Sequence, residues 1–222
     1  MPMPGGWTMS MTWMRMPGQT WLDAGVSFIA MWIVMMIAMM LPSVAPMLWR
    51  FRDAVRNCGP ARLAALTTLA GVAYFVVWAA IGLIVFPVGL ALAELEMRSP
   101  ALAGSVPIAM GALILVAGAL QFTPWKARRI ACCRELPSTA PPAAAGTAWR
   151  HGLQLGVRCS ACCANLTAIL LAIGVMDLRA MAIVTAAIAA ERLAPAHLRV
   201  AHIVGAVAAA AGLLLIGQAV AS

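Results

Sequence analysis

Residues 24–48 read AGVSFIAMWIVMMIAMMLPSVAPML and contain no charged side chain. A helix needs about 20 apolar residues to cross about 30 Å of hydrocarbon, so this stretch is long enough to span a membrane. Two further stretches are also free of charge: residues 63–93 and 99–125. Lipid offers the backbone no hydrogen-bond partner, and these runs lack the two-residue alternation of β-barrel strands. They therefore predict transmembrane helices.

Composition extends this prediction to the whole chain of 222 residues. It is 64% hydrophobic and 10% charged, whereas soluble domains carry about 25% charged residues. We predict an all-α fold, a polytopic transmembrane helix bundle of about six spans. The predicted spans are Ala24–Leu48, Leu63–Leu92, Leu102–Phe122, Gly152–Val175, Leu178–Pro195 and Ala201–Ala221.

Several local features refine the predicted organisation. Pro42 and Pro46 are expected to bend or stop the first span near Leu41, because proline removes a backbone hydrogen bond. Residues 123–150 are basic and then rich in Ala and Pro, which is typical of an irregular loop. Residues 1–22 are predicted to form a Met-rich tail outside the cytoplasm, and residues 23–222 a single transmembrane domain. Ala and Gly in the last two spans favour close helix packing, within the chain or between copies, so the oligomeric state stays open.

The positive charge indicates orientation rather than nucleic-acid binding. Most of the 15 Lys and Arg residues fall in alternate loops, and only Arg15, Arg98 and Arg179 lie in the others. Basic loops stay in the cytoplasm. This pattern predicts a multi-pass protein of the bacterial inner membrane, in contact with the lipid bilayer and with its N-terminus outside the cytoplasm. The basic segments lack interleaved aromatic residues, which argues against a nucleic-acid partner.

Methionine is concentrated at the N-terminal end, where most of the 16 Met residues precede residue 48. Met35 and Met39, like Met36 and Met40, are four residues apart and share one face of a helix. Thioethers are soft donors that favour Cu(I) over harder ions. The alternative is that these side chains only fill the core, but the exposed tail that holds Met9, Met11, Met14 and Met16 among others has no core to fill.

Cysteine is concentrated between residues 132 and 163. Cys132 and Cys133 are adjacent, and Cys159, Cys162 and Cys163 lie on one face of the fourth predicted span. Thiolates bind Cu(I) and Zn²⁺ strongly, although cysteines also serve as small apolar packing residues. His151 precedes this motif by two helical turns and is a further candidate ligand. Glu191 and Arg192 are interpreted as a simple ion pair.

The sequence provides no evidence for an enzyme, since it contains no nucleophile–base pair, phosphate-binding loop or dinucleotide fingerprint. Three hypotheses remain open. The first is a Cu(I)-binding protein that passes copper to an acceptor cuproprotein. The second is a metal transporter, and the third is a structural or assembly subunit of a membrane complex.

Two segments also carry a family resemblance. Met31–Ser43, with its paired methionines before Leu41 and Pro42, and the stretch from His151 through Cys159 and Cys162 to Cys163 resemble the signatures of a bacterial family of predicted metal-binding integral membrane proteins. Gly174–Leu178 continues the resemblance. The family includes a copper chaperone that loads a tyrosinase, so the resemblance implies copper delivery.

Three features of the chain differ from that family. Members usually begin with a further span, which residues 1–22 do not supply. Ala164 stands where an aromatic residue often follows the cysteine pair, and Thr167 stands where a Met is common. If that Met is a ligand in the family, this chain lacks it.

Overall fold

The computed structural model of the chain describes Gly18 and residues 20–134, 143–174 and 177–221. Within these ranges the chain is helical and contains no strand, which confirms the predicted all-α class. The seven helices are α1 (Trp21–Ala54), α2 (Pro60–Arg98), α3 (Pro100–Leu120), α4 (Pro124–Arg134), α5 (Ala145–Ile173), α6 (Leu178–Leu193) and α7 (His197–Ala221). Most of the predicted Met-rich tail lies outside the described residues.

Helix α1 begins at a capping box and continues through both of its prolines. The Thr20 side chain accepts a hydrogen bond from the Asp23 backbone N–H, and the Asp23 carboxylate accepts one from the Thr20 backbone N–H. Two outcomes were expected near Leu41, a bend or a stop. The stop is wrong, because the helix runs on to Ala54. Residues on both sides of Pro42 are buried against neighbouring helices, and such packing supports a helix across a proline in an apolar environment.

The predicted count of about six spans is approximate. Helices α1, α2, α5 and α7 are long and apolar enough to cross a membrane. Residues Gly104–Leu120 and Pro124–Cys133 form a pair bent by 68°, which makes a fifth crossing if the two are one broken span. Helix α6 has only 16 residues, about 24 Å of rise, and it ends in two buried charged residues. These helices are compatible with a multi-pass membrane protein.

The irregular loop predicted for residues 123–150 is wrong over its first part, where α4 forms, and over its last part, where α5 begins at Ala145. Proline at the first position suits a helix start, and the Thr123 hydroxyl accepts a hydrogen bond from the Lys126 backbone N–H at 3.4 Å. Lys126, Ile130 and Cys133 share the buried face of this short helix. Residues 135–142, which include Pro137, Pro141 and Pro142 of the predicted loop, lie outside the described residues.

Glycines bring two pairs of helices into close contact. A Cβ atom on Gly152 of α5 would lie 2.2 Å from the Ala70 carbonyl oxygen of α2, and one on Gly156 would lie 2.8 Å from Val77 Cγ2. A Cβ atom on Gly118 of α3 would lie 2.7 Å from the Ala209 backbone nitrogen of α7. Small residues allow helix backbones to approach closely in membrane proteins. These contacts hold α5 against α2 and α7 against α3.

Candidate metal centre

The structure brings the predicted methionines and most of the predicted cysteines into one buried cluster. Met35, Met36, Met39 and Met40 of α1 are at most 5% exposed. They pack in the same apolar core as the cysteines of α4 and α5, namely Cys133, Cys159, Cys162 and Cys163. We call these eight residues the sulfur cluster. The four-residue spacing of the methionines explains why all of them face the core.

The thiols of the sulfur cluster lie close to one another. All are free cysteines, and the Sγ atoms of Cys159 and Cys163 are 3.9 Å apart. Cys162 interacts electrostatically with Cys133 and with Cys163, while Cys133 Sγ donates to the Arg158 carbonyl oxygen at 3.1 Å. The four thiols are therefore grouped closely enough to influence one another, and Cys159 and Cys163 are in direct contact.

The separation of Cys159 and Cys163 suits two ligands of one metal ion. Two thiolates bonded to an ion at about 2.3 Å, with an angle of about 110–120° at the metal, are about 3.8–4.0 Å apart. Among the described residues, no group of three His, Cys, Asp or Glu side chains is arranged to hold a metal ion. The geometry therefore offers a pair of thiols, with the thioethers in the same apolar core, rather than a preformed site of three or four cysteines.

Arg192 and Tyr74 both contact Cys159. Arg192 Nη1 lies 2.9 Å from Cys159 Sγ, and its Nη2 lies 3.5 Å from Met47 Sδ. The Tyr74 hydroxyl donates a hydrogen bond to the same Cys159 sulfur at 3.0 Å. A buried cation and a second donor on one sulfur are the surroundings that stabilise a thiolate. The predicted ion pair between Arg192 and its neighbour Glu191 is wrong, because the guanidinium points to the cysteines.

The partner of Glu191 is Lys126, at the start of α4. Lys126 Nζ lies 2.8 Å from Glu191 Oε2, and both side chains are almost fully buried. Gln121 Nε2, in the break between α3 and α4, donates to Glu191 Oε1 at 2.7 Å. Lys126 Nζ also donates to the Cys162 carbonyl oxygen at 2.8 Å and contacts Asn165 Oδ1 at 3.3 Å. This network joins the break to the cysteine segment of α5 and to α6.

Two predicted ligands lie outside the sulfur cluster. The His151 ring stacks on Phe51, with ring centroids 4.8 Å apart, and Phe51 belongs to a separate small apolar cluster. Cys132 is half-buried, next to Cys133. Their role as ligands stays a prediction.

Sequence reasoning missed Arg192, Tyr74 and Lys126 as parts of this site. A signal was available, since ionisable residues within apolar helices are costly and usually mark function. The sequence places Lys126 in a loop, because it follows the end of the third predicted span at Phe122. Tyr74, the single tyrosine of the chain, lies within the second charge-free run.

The family model PpoB2, described as a copper chaperone, matches residues 29–215. The matched range contains the whole sulfur cluster together with Tyr74, Lys126, Glu191 and Arg192. No curated protein and no solved structure matches the chain.

Proposed function

Because the chain belongs to the PpoB2 copper chaperone family, we propose that it is a membrane-embedded protein that binds Cu(I) and delivers it to an acceptor cuproprotein. The observation that carries this proposal is the burial of four thiols and four thioethers in one core. Soft sulfur ligands select Cu(I) over harder ions. Copper is the cargo, so binding and release matter rather than catalysis, and we infer a non-enzymatic role.

The residues suggest how the ion is held. Cys159 and Cys163 provide two sulfur atoms at a suitable separation, and Cys162 interacts electrostatically with Cys163. Binding by two thiols releases two protons, and the hydrogen bonds from Arg192 and Tyr74 stabilise the resulting charge on Cys159. Cys162, which interacts with Cys133, offers an alternative ligand. The ion can therefore pass from one pair of cysteines to the next while it stays bound to sulfur.

Thioethers supply the route out of the cysteine site in this proposal. Met35, Met36, Met39 and Met40 bind without losing a proton, so copper can move onto them when the two cysteines take back the two protons that they released. Residues 1–22 would act as the Met-rich, non-cytoplasmic tail that presents copper to the acceptor. The arrangement of basic loops supports an inner-membrane protein with its N-terminus outside the cytoplasm and residues 23–222 as one transmembrane domain.

Metal content of the purified protein tests this proposal. The full chain in detergent is loaded anaerobically with Cu(I), desalted and analysed for copper, beside a variant carrying Cys159→Ser, Cys162→Ser and Cys163→Ser. Serine keeps the size of the side chain but removes the soft donor. We expect about one tightly held copper per wild-type chain and almost none in the triple variant.

Cys58→Ser is the matched control, because Cys58 is half-buried and donates to the Val55 carbonyl oxygen outside the sulfur cluster. It should bind copper like the wild type. Equal copper in the wild type and the triple variant would contradict the assignment of the cysteines. Negligible copper in every variant would favour a structural or assembly subunit, in which Met and Cys only pack.

A second candidate function is metal transport, and the break between α3 and α4 favours it. Transporters often place ion sites at discontinuous transmembrane helices, and here a 68° bend adjoins the buried Gln121–Glu191–Lys126 network. The same sulfur cluster would then line a pathway through the membrane. Uptake of copper into proteoliposomes separates the two functions.

A chaperone should bind copper without net flux into the vesicle lumen, and this is the expected result. Time-dependent accumulation above that of protein-free vesicles, abolished by the triple serine substitution, would instead establish transport. Retention of copper by the protein in detergent is expected in both cases, so the lumen content is the deciding quantity.

A further inference from the structure

Helices α1 and α6 leave between them an open groove of about 500 Å³. Among the described residues, its lining consists of Ala38, Met39 and Pro42 of α1 and six residues of α6 from Leu178 to Ala189. The polar side chain in this lining is Thr185, whose hydroxyl donates to the Met181 carbonyl oxygen at 2.6 Å. The groove is therefore apolar, and its soft donors are methionine thioethers.

Two methionines line the groove, one from each helix. Met39 belongs to the sulfur cluster and is 2% exposed. Met181 is half-buried and packs against the same apolar core. Met39 consequently lies where the sulfur cluster borders the groove, and Met181 extends the thioethers of the cluster towards the protein surface.

The groove lies away from the cysteines along both helices. Arg192 contacts Cys159 and Met47, whereas Met39 precedes Met47 by eight residues and Met181 precedes Arg192 by eleven. At a rise of about 1.5 Å per residue, these offsets are about 12 and 16 Å, and both point to the N-terminal ends of the two helices. The pattern of basic loops predicts that these ends face the non-cytoplasmic side.

A pair of thioethers at this place suits the release of copper rather than its retention. Thioethers are neutral soft donors, so they hold a soft cation less strongly than charged thiolates do. Cys159, Cys162 and Cys163 are at most 2% exposed, and an external ligand cannot reach an ion that they hold. The ion therefore has to move to a more accessible donor before it can be transferred.

We propose that Met39 and Met181 form the exit site of the protein, a site of two thioethers for Cu(I) from which an external sulfur ligand takes the ion. This inference rests on the proposed copper binding and adds to it a ligand, Met181, and the place where copper leaves the helices. The ion passes from the cysteines to Met39 and Met181, and the two cysteines take back the two protons that they released. The bond to Met181 then breaks as the external ligand binds the ion.

Transfer of copper to a soluble chelator tests the proposal. The full chain in detergent is loaded anaerobically with Cu(I) and desalted, and an excess of bathocuproine disulfonate is added. The absorbance of the chelator's Cu(I) complex gives the rate of transfer. We expect Met181→Leu to retain as much copper as the wild type but to transfer it at least about tenfold more slowly, because leucine keeps the volume and lacks the sulfur. Met39→Leu should slow the transfer by a similar factor.

Two control variants separate the sulfur atom from the shape of the groove and from general effects. Thr185→Val changes a residue of the groove without removing a soft donor. Met110→Leu makes the same change as Met181→Leu at another half-buried methionine, which lies on α3 and does not line the groove. Both variants should transfer copper at the wild-type rate.

The outcomes distinguish this inference from the proposed function. A wild-type rate in Met181→Leu or in Met39→Leu, with copper still bound, would overturn the exit site and leave copper binding intact. Equal slowing in Thr185→Val or Met110→Leu would also overturn it, as would a loss of bound copper in Met181→Leu, which would place this residue in the tight site. A wild-type protein that retains no copper would overturn the proposed function and this inference together.

Discussion

Replacing Gly152 by alanine is expected to destabilise the protein by about 3 kcal/mol. Overpacking a core typically costs about 1–3 kcal/mol, and a clash with a rigid neighbour lies at the upper end of that range. The added Cβ atom would lie 2.2 Å from the Ala70 carbonyl oxygen and 2.7 Å from Ala73 Cβ. The first of these atoms belongs to the backbone, so no side-chain rotation can relieve the clash. Helices α2 and α5 would have to move apart, and unfolding of the purified protein in detergent, followed by circular dichroism, measures the loss.

Separation of these two helices should also disturb the sulfur cluster. Tyr74 follows Ala73 on α2, and its hydroxyl reaches Cys159 on α5. We therefore expect Gly152→Ala to weaken copper binding, although the substitution lies two turns before Cys159. Both effects arise from one contact between helices.

Gly146→Ala is the matched control, because it makes the same change in the first turn of α5, where no atom lies within 4 Å of the added Cβ. Alanine is favoured over glycine in helices by about 1 kcal/mol. This variant should be as stable as the wild type or slightly more so. Equal stability of the two variants would contradict the close packing of α2 and α5.

The helical class and the grouping of the sulfur atoms on one face of each helix could be predicted from the sequence. Long charge-free runs leave a backbone in lipid little choice but a helix. Spacings of three and four residues place side chains on one face, as seen for Met35 with Met39 and for Cys159 with Cys163. Whether the two faces meet depends on how α1, α4 and α5 pack, and no local pattern specifies that.

Two predictions about individual residues failed for reasons of helical geometry. Consecutive residues point about 100° apart, so neighbours such as Glu191 and Arg192 do not face each other. Glu191 instead faces Lys126, and Arg192 faces Cys159. His151 precedes Cys159 by eight residues, which is about 80° beyond two full turns, and its ring stacks on Phe51.

Helix α4 was missed because its sequence gives a weak signal. Among residues 124–133, whose burial is described, the buried ones are Lys126, Ile130 and Cys133, and a lysine on a buried face contradicts the expected apolar pattern. The lysine is compatible with burial because Glu191, Asn165 and a carbonyl oxygen lie around its ammonium group. All of these partners come from helices that lie much later in the chain.

The buried pair of Lys126 and Glu191 leads to the second prediction of a large effect. Replacing Glu191 by glutamine, or Lys126 by methionine, leaves one buried charge without its partner. Removing one member of a buried ion pair costs about 3–5 kcal/mol. We expect each single variant to lose stability in this range, measured by unfolding in detergent.

The double variant, Lys126→Met with Glu191→Gln, should be less destabilised than the sum of the two single variants, because it leaves no isolated charge. We expect a coupling of at least about 2 kcal/mol in the double-mutant cycle. Glu94 and Arg98 form a matched control pair, since they are ion-paired within α2 but are exposed. Exposed pairs contribute about 0–1 kcal/mol, so Glu94→Gln should have little effect. Additive losses at Lys126 and Glu191 would mean that the two charges do not stabilise each other and that the break between α3 and α4 is held by other contacts.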